Sequence, residues 1–400
     1  MRDDWIAAPE GLAPVPGGSV TSPPGFEAAG VACGLKPSGA LDLGLLRCVA
    51  PGASALVDTA SALPSAPVLH NRGLDRARIR AVVVNAGSAN AATGSPGLED
   101  ARAMAARAAA RLGLDPGEVA VSSTGTIGDR IDMGMVGAGI DGAAETLSAR
   151  GGADFNRAIC TTDRAPKGGA FRLPLGGREV TIGAAAKGAG MISPRMATML
   201  AYVTVDAPVA AHQLQAMTAA AAAGSFNRIS VDGQMSPSDT LVVMAAGDGA
   251  PLSGGERDRL AHGLEAVCRW LAVQMVKDGE GAAHAVRVVV TGARDAAEAE
   301  AVARAIGDSP LVKTAVFGED PNWGRVSQAV GMALAAADGP VDEPVVTVDG
   351  VPYASAQARE VLAREEYDLE VALGRGDVAS HVWVSDLGHG YITINAEYHT

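Results

Sequence analysis

Apolar and polar positions along this chain follow two periods that alternate from one end to the other. Residues 79–84 (IRAVVV) and 119–123 (VAVSS) read as strands, and between them the Ala/Arg-rich run 98–112 has helical composition and periodicity. Residues 171–175 and 179–182 flank Gly176-Gly177, a hairpin signal because such a turn needs positive φ at its centre. Residues 198–205 then read as a strand, 210–223 as a helix, 240–244 as a strand and 254–275 as a long helix. The segments 285–290, 298–306, 345–348, 367–373 and 382–385 continue the mixture, which is that of an α/β protein. The leader through Ser22 is Pro/Gly-rich and unpatterned and is expected to be mobile. No repeat and no solvated linker interrupts the rest, so the pieces should share one core.

Composition narrows the class of partner. Four hundred residues, 48% hydrophobic, can bury a sizeable core in one large or two intimate domains, and 50 glycines suit a loop-rich α/β chain. A net charge of -13 argues against nucleic acid or an anionic membrane, both of which demand basic surface, and favours a small substrate. Cys33, Cys48, Cys160 and Cys268 form no C-x-x-C pair, and the N-terminus lacks the basic-then-apolar pattern of a signal peptide, which reads as a reduced, cytoplasmic protein. No apolar run approaches the roughly 20 residues that span a bilayer. There is no phosphate-loop motif, no H-E-x-x-H and no Cys/His cluster, and the histidines are dispersed, so neither metal nor nucleotide cofactor is expected. Lysine occurs only at positions 36, 167, 187, 277 and 313 in an arginine-rich chain, which makes Lys187 hard to read as a random surface charge.

Lys187 opens the most informative stretch, KGAGMISPRMATMLAYVTVD, which leads through a Gly/Pro-rich loop to Thr198 at the head of an apolar segment. Thr198 alone could be a β-branched residue opening a strand. A threonine that becomes an N-terminus, however, gains an α-amine of pKa about 7.7 to 8 that can act as its base. The stretch resembles the self-cleavage segment of the ornithine acetyltransferase / glutamate N-acetyltransferase family. Further matching motifs run in order along the chain: Ser123-Thr-Gly-Thr-Ile-Gly128, Thr161-Thr-Asp163, Ser225-Phe-Asn-Arg228, Asp278-Gly-Glu-Gly281, SPLVKTAVFGEDPNWGR from Ser309 to Arg325, and the terminal Ile394-Asn-Ala-Glu-Tyr-His-Thr400.

The resemblance implies a layered mixed-sheet and helix sandwich of the ornithine acetyltransferase / aminopeptidase-like type, cut between Ala197 and Thr198 into intertwined α (1–197) and β (198–400) chains that assemble as two of each. It implies a ping-pong transfer of acetyl from N2-acetylornithine to glutamate in arginine biosynthesis, with Thr198 as nucleophile and Thr124 and Gly125 as the oxyanion hole. Thr161, Lys187, Thr198, Glu280, Asn395 and Thr400 are then the substrate-binding residues, with Lys187 and Thr161 as the candidate carboxylate clamp. Departures from the family pattern stand at Ser88, at Gln234 to Pro237, at His284 in place of a lysine, and across Val57 to Ala62; none removes a residue assigned to the reaction, but all bear on the acceptor. Whether acetyl-CoA is also a donor is left open. A paralogue with another acyl acceptor, an N-terminal-nucleophile amidase or aminopeptidase, and a non-catalytic amino-acid-binding protein that stays uncut are the alternatives.

Overall fold

The computed structural model describes residues 2–50, 52–193 and 199–397. A four-stranded sheet comes from the first part of the chain, in the order Phe26–Val31, Leu43–Cys48, Ala81–Ser88 and Val119–Thr126. The last two are parallel and the others antiparallel. Ala81–Ser88 and Val119–Thr126 both run beyond their apolar cores, because the ladder continues through polar residues: Asn85 faces Ser123, whose hydroxyl donates to the Asn85 side chain at 2.6 Å. Helices Gly94–Leu112 and Met133–Thr146 cover the outer face with Met104, Ala108, Val136 and Ile140. The second helix contains four glycines (134, 137, 139 and 142), each unfavourable in a helix interior, and so escapes a propensity reading. Asp132 caps it by accepting from the Gly134 and Met135 amides.

A six-stranded sheet lies against the other face, in the order Ala13–Pro14, Lys167–Leu175, Arg178–Lys187, Leu200–Val205, Thr240–Ala246 and Gly52–Asp58. The Gly176-Gly177 hairpin forms as expected, with φ of 49° and 93°. Leu200–Val205 is buried throughout, antiparallel to Arg178–Lys187 and parallel to Thr240–Ala246. Side chains alternate along these strands: Leu200, Tyr202, Val242 and Met244 point into the core shared with the four-stranded sheet, while Ala201, Val203, Leu241 and Val243 meet helices Ala211–Gly224 and Gly254–Lys277. The result is helices, sheet, sheet, helices. Strands from either side of the Ala197–Thr198 bond thus sit in one sheet. A third sheet, Ile229–Ser230, Val378–Ser385, Ala285–Ala293, Glu366–Ala372, Val345–Val348 and Val351–Pro352, carries helices Ala296–Gly307, Pro310–Phe317 and Trp323–Ala333. Among the described residues no helix is long and apolar enough to cross a membrane.

The leader departs from its expected mobility. Trp5 is 1% exposed, donates its indole N–H to Asp368 at 2.8 Å, and stacks under the guanidinium groups of Arg2 and Arg287. Ala13–Pro14 pairs with the Phe171–Arg172 edge of the six-stranded sheet. Absence of periodicity hid this anchoring, because one large aromatic suffices to dock a short segment. Trp5→Ala should therefore lower stability by about 3 to 5 kcal/mol, the range for truncating a buried aromatic. Urea unfolding of the variant would read this as a lower midpoint, and an unchanged midpoint would mean that the leader contributes nothing.

Candidate active site

One cavity of about 130 Å³ opens where the C-terminal ends of Val119–Thr126 and Arg178–Lys187 approach the loop at residue 280 and the last helix, His389–Glu397. On the scale where one water needs roughly 10 to 15 Å³, that is room for a molecule the size of an amino acid. Thr124, Gly125, Thr161, Lys187, Glu280 and Asn395 all line it, although they span 271 positions from Thr124 to Asn395 (395 − 124). Ala197, Thr198 and Thr400 lie outside the described residues.

Lys187 ends its strand 3% exposed. Its ammonium donates to the Thr124 hydroxyl oxygen at 3.0 Å. An ammonium carries only donors, so Thr124 accepts here and its own hydrogen is directed away from Lys187. Burial pulls the Lys187 pKa down, and Asp163 is the chief group opposing that loss of charge. Asp163 in turn accepts from the Gly188 amide at 2.8 Å, the Thr161 amide at 2.9 Å and the Lys167 ammonium at 2.5 Å. Burial would neutralise the Asp163 carboxyl, but Lys187 and Lys167 outweigh it and hold the group far below the usual carboxylate range. Lys167 also reaches Asp278 at 2.5 Å, so two lysines and two aspartates form one buried chain of alternating charge. Cys160 lies beside this chain, its thiol pushed up to about 12 by burial and by Asp163, which leaves it protonated and unsuited as a nucleophile.

Glu280 is held on the opposite wall. The Thr162 hydroxyl donates to one carboxylate oxygen and the Asn395 amide to the other, each at 2.7 Å. Gly190 passes so close that a Cβ there would stand 2.4 Å from Glu280 Oε2. Gly125 is constrained in the same way: its φ is 130° and a Cβ would lie 2.4 Å from the Gly87 backbone. The loop leading on from Lys187 is clamped by Asp232, which accepts from the Met191 and Ile192 amides at 2.6 and 2.9 Å and from the Tyr391 hydroxyl at 3.3 Å.

The expected residues that the structure describes thus converge: Lys187 donates to Thr124, and the Thr161 amide is taken by Asp163. Asp163, Lys167, Thr162, Ser236, Ser238 and Asp232 were not singled out from the sequence. Thr162 and Asp163 sit in the Thr161-Thr-Asp163 motif, and Lys167 is one of the rare lysines, so these three carried a signal; the contributions of Ser236, Ser238 and Asp232 depend on which loops meet. Among the described residues no group of three or more His, Cys, Asp or Glu is placed to hold a metal ion.

Comparison with known proteins identifies the family. The ArgJ family model matches residues 27–400. A Symbiobacterium thermophilum protein named arginine biosynthesis bifunctional protein ArgJ is 44% identical over 397 residues, covering 96% of this chain and 99% of the relative. The Bacillus licheniformis protein of the same name is 42% identical over 402 residues, covering 96% and 97%. A crystal structure of ornithine acetyltransferase from Mycobacterium tuberculosis, complexed with ornithine, is 39% identical and covers 47% of this chain and 100% of its own, with a TM-score of 0.44. Since the match spans nearly the whole chain and relatives above 40% identity align along almost all of it, this chain belongs to the ArgJ family.

Proposed function

We propose that the chain is a glutamate N-acetyltransferase of arginine biosynthesis that cuts itself between Ala197 and Thr198 and then moves acetyl from N2-acetylornithine to glutamate through Thr198. The observation that carries this is the convergence of Thr124, Gly125, Thr161, Lys187, Glu280 and Asn395 on one amino-acid-sized cavity. In this reading Thr198 Oγ1 attacks the acetyl carbonyl while the freed α-amine takes its proton. Thr124 and Gly125 stabilise the oxyanion, ornithine leaves as the amine, and glutamate attacks the acetyl-threonine by the reverse sequence. Thr124 suits the task because Lys187 occupies its acceptor side and turns its hydrogen elsewhere. Glu280, flanked by Thr162 and Asn395, supplies the negative charge that a substrate ammonium requires.

The relatives are named bifunctional, and the second activity we assign is acetylation of glutamate from acetyl-CoA. The two pieces stay together because Arg178–Lys187 and Leu200–Val205 are neighbours in one sheet. We place the mature enzyme in the cytoplasm as a heterotetramer of two α and two β chains, with Thr400 completing the substrate site.

Intact mass should reveal two fragments, residues 1–197 and 198–400, with Thr198 as the new N-terminus. Thr198→Ala should stay as one chain without transferase activity; efficient cleavage of that variant would remove Thr198 from the mechanism. Thr124→Ala should lose about 100- to 1000-fold in acetyl transfer, as for removal of one preorganised oxyanion donor, and near-normal turnover would reduce Thr124 to a strand end. Lys187→Met leaves Asp163 with one cation fewer and Thr124 without its donor. It should cost about 3 to 5 kcal/mol, the range for breaking a buried charge pair, divided between stability and kcat and equal for the two amino-acid substrates. A rise in KM for both N2-acetylornithine and glutamate with kcat unchanged would instead make Lys187 a direct contact of the α-carboxylate that the two substrates share.

A further inference from the structure

The amino-acid cavity has an apolar neighbour. A groove of about 500 Å³ lies beside it, against about 130 Å³ for the cavity itself, and Ile127 and Pro237 line both. Its other walls come from residues 61–66, helix Ala66–Arg72, and residues 91–94 at the start of helix Gly94–Leu112. Leu63, Leu69 and Ile127 are all exposed, so three of the large apolar side chains that the fold leaves in water gather on this one surface. Contiguous exposed apolar surface marks ligand-binding or interaction sites, where singly scattered residues mean nothing.

The groove is preformed. The Ala66 amide donates to the Asn90 carbonyl at 3.0 Å, the Ser65 amide to the Pro237 carbonyl at 2.8 Å and the Gly128 amide to the Ala91 carbonyl at 3.0 Å, which fixes the walls to one another. Among the described residues no charged side chain lines it. Its two hydroxyl groups serve their own loops: Thr93 donates to Asn90 Oδ1 at 2.8 Å, and Ser61 accepts from the Leu63 amide at 3.2 Å. Such a surface offers burial to an apolar chain and little to a charged or amide-rich group, which would lose water without finding partners.

Polarity also decides which end of a substrate faces it. Thr161, Thr162, Lys187, Glu280 and Asn395, the groups suited to an amino acid's ammonium and carboxylate, line the cavity, and none of them lines the groove. Ile127, which joins the two spaces, stands two residues after Gly125 of the proposed oxyanion hole. We propose that the groove receives the acyl chain of N2-acylornithines longer than the acetyl compound, an inference that rests on the acetyltransferase reading above. The transfer balances as it does for acetyl. The bond between the acyl carbon and the ornithine nitrogen breaks, one forms to the glutamate nitrogen, and the hydrogens that glutamate's amine loses are those that ornithine's gains.

Purified wild-type enzyme given N2-acetyl-, N2-butanoyl- or N2-hexanoylornithine as donor to glutamate should show kcat/KM rising with chain length. The rise should reach up to about fourfold per added methylene, the gain for burying one CH2 group. Leu63 and Leu69 are exposed, so the double variant Leu63→Gln, Leu69→Gln should fold as the wild type does. It should lose about tenfold in kcat/KM with the hexanoyl donor, through the apolar contact removed, and keep the wild-type value with the acetyl donor. A kcat/KM that falls from acetyl to hexanoyl in the wild type, or an equal loss on both donors in the variant, overturns the assignment and leaves the acetyltransferase reading standing. A loss confined to acetyl-CoA as donor overturns it as well, by giving the groove to the pantetheine arm of the thioester. Wild-type enzyme that transfers no acyl group from any of the three ornithine donors overturns the acetyltransferase reading, and this proposal with it.

Discussion

A buried ammonium at Lys187 is the constraint on which the site is organised. Removing a cation from water is costly unless a charge and hydrogen bonds replace the solvent. Asp163 supplies the charge, and its own carboxylate is then tied to Gly188, Thr161 and Lys167. Through these contacts the 161–163 loop, the end of Arg178–Lys187 and the end of Val119–Thr126 become one unit, because each holds a group that another needs. Lys167 extends the unit to Asp278, two residues before Glu280, so both walls of the cavity are referred to the same ionic chain.

The sheet imposes the second constraint. Leu200–Val205 lies between Arg178–Lys187 and Thr240–Ala246, with every residue buried. A break in the connecting segment would leave this pairing intact, since the strand's ladder bonds and its contacts on both faces do not depend on the covalent link. The same arrangement places Asp239 opposite Met199, so a residue next to the proposed nucleophile is held from a neighbouring strand and not from its own loop. Packing on two faces, against helices on one side and a second sheet on the other, gives the site a rigid floor.

Much of this was legible in the residues. The Gly176-Gly177 hairpin, the helices near 98–112, 210–223 and 254–275, and the strand 345–348 follow from periodicity and turn chemistry, and the structure places them with shifts of a few residues at most of their ends. The polar ends of Ala81–Ser88 and Val119–Thr126 were not legible, because a strand carrying Asn85 and Ser123 looks like a loop until each is seen to satisfy the other. Met133–Thr146 was hidden by its glycines, one of which, Gly139, admits Cys33 so closely that a Cβ would stand 2.7 Å from the Cys33 Cβ. The packed leader was missed because a single tryptophan has no period.

By itself the sequence determined the α/β class, the family, and a set of candidate residues carried by local motifs, since each depends on residue types at short spacing. The tertiary structure alone decided that Lys187 donates to Thr124, that Glu280 is shared by Thr162 and Asn395, and that the buried Asp239 accepts from the Met199 amide that precedes the neighbouring strand. Those facts depend on contacts between residues 40 to 118 positions apart, or on a burial that the whole fold creates. No local pattern records where a hydrogen bond ends when its partner arrives from another strand.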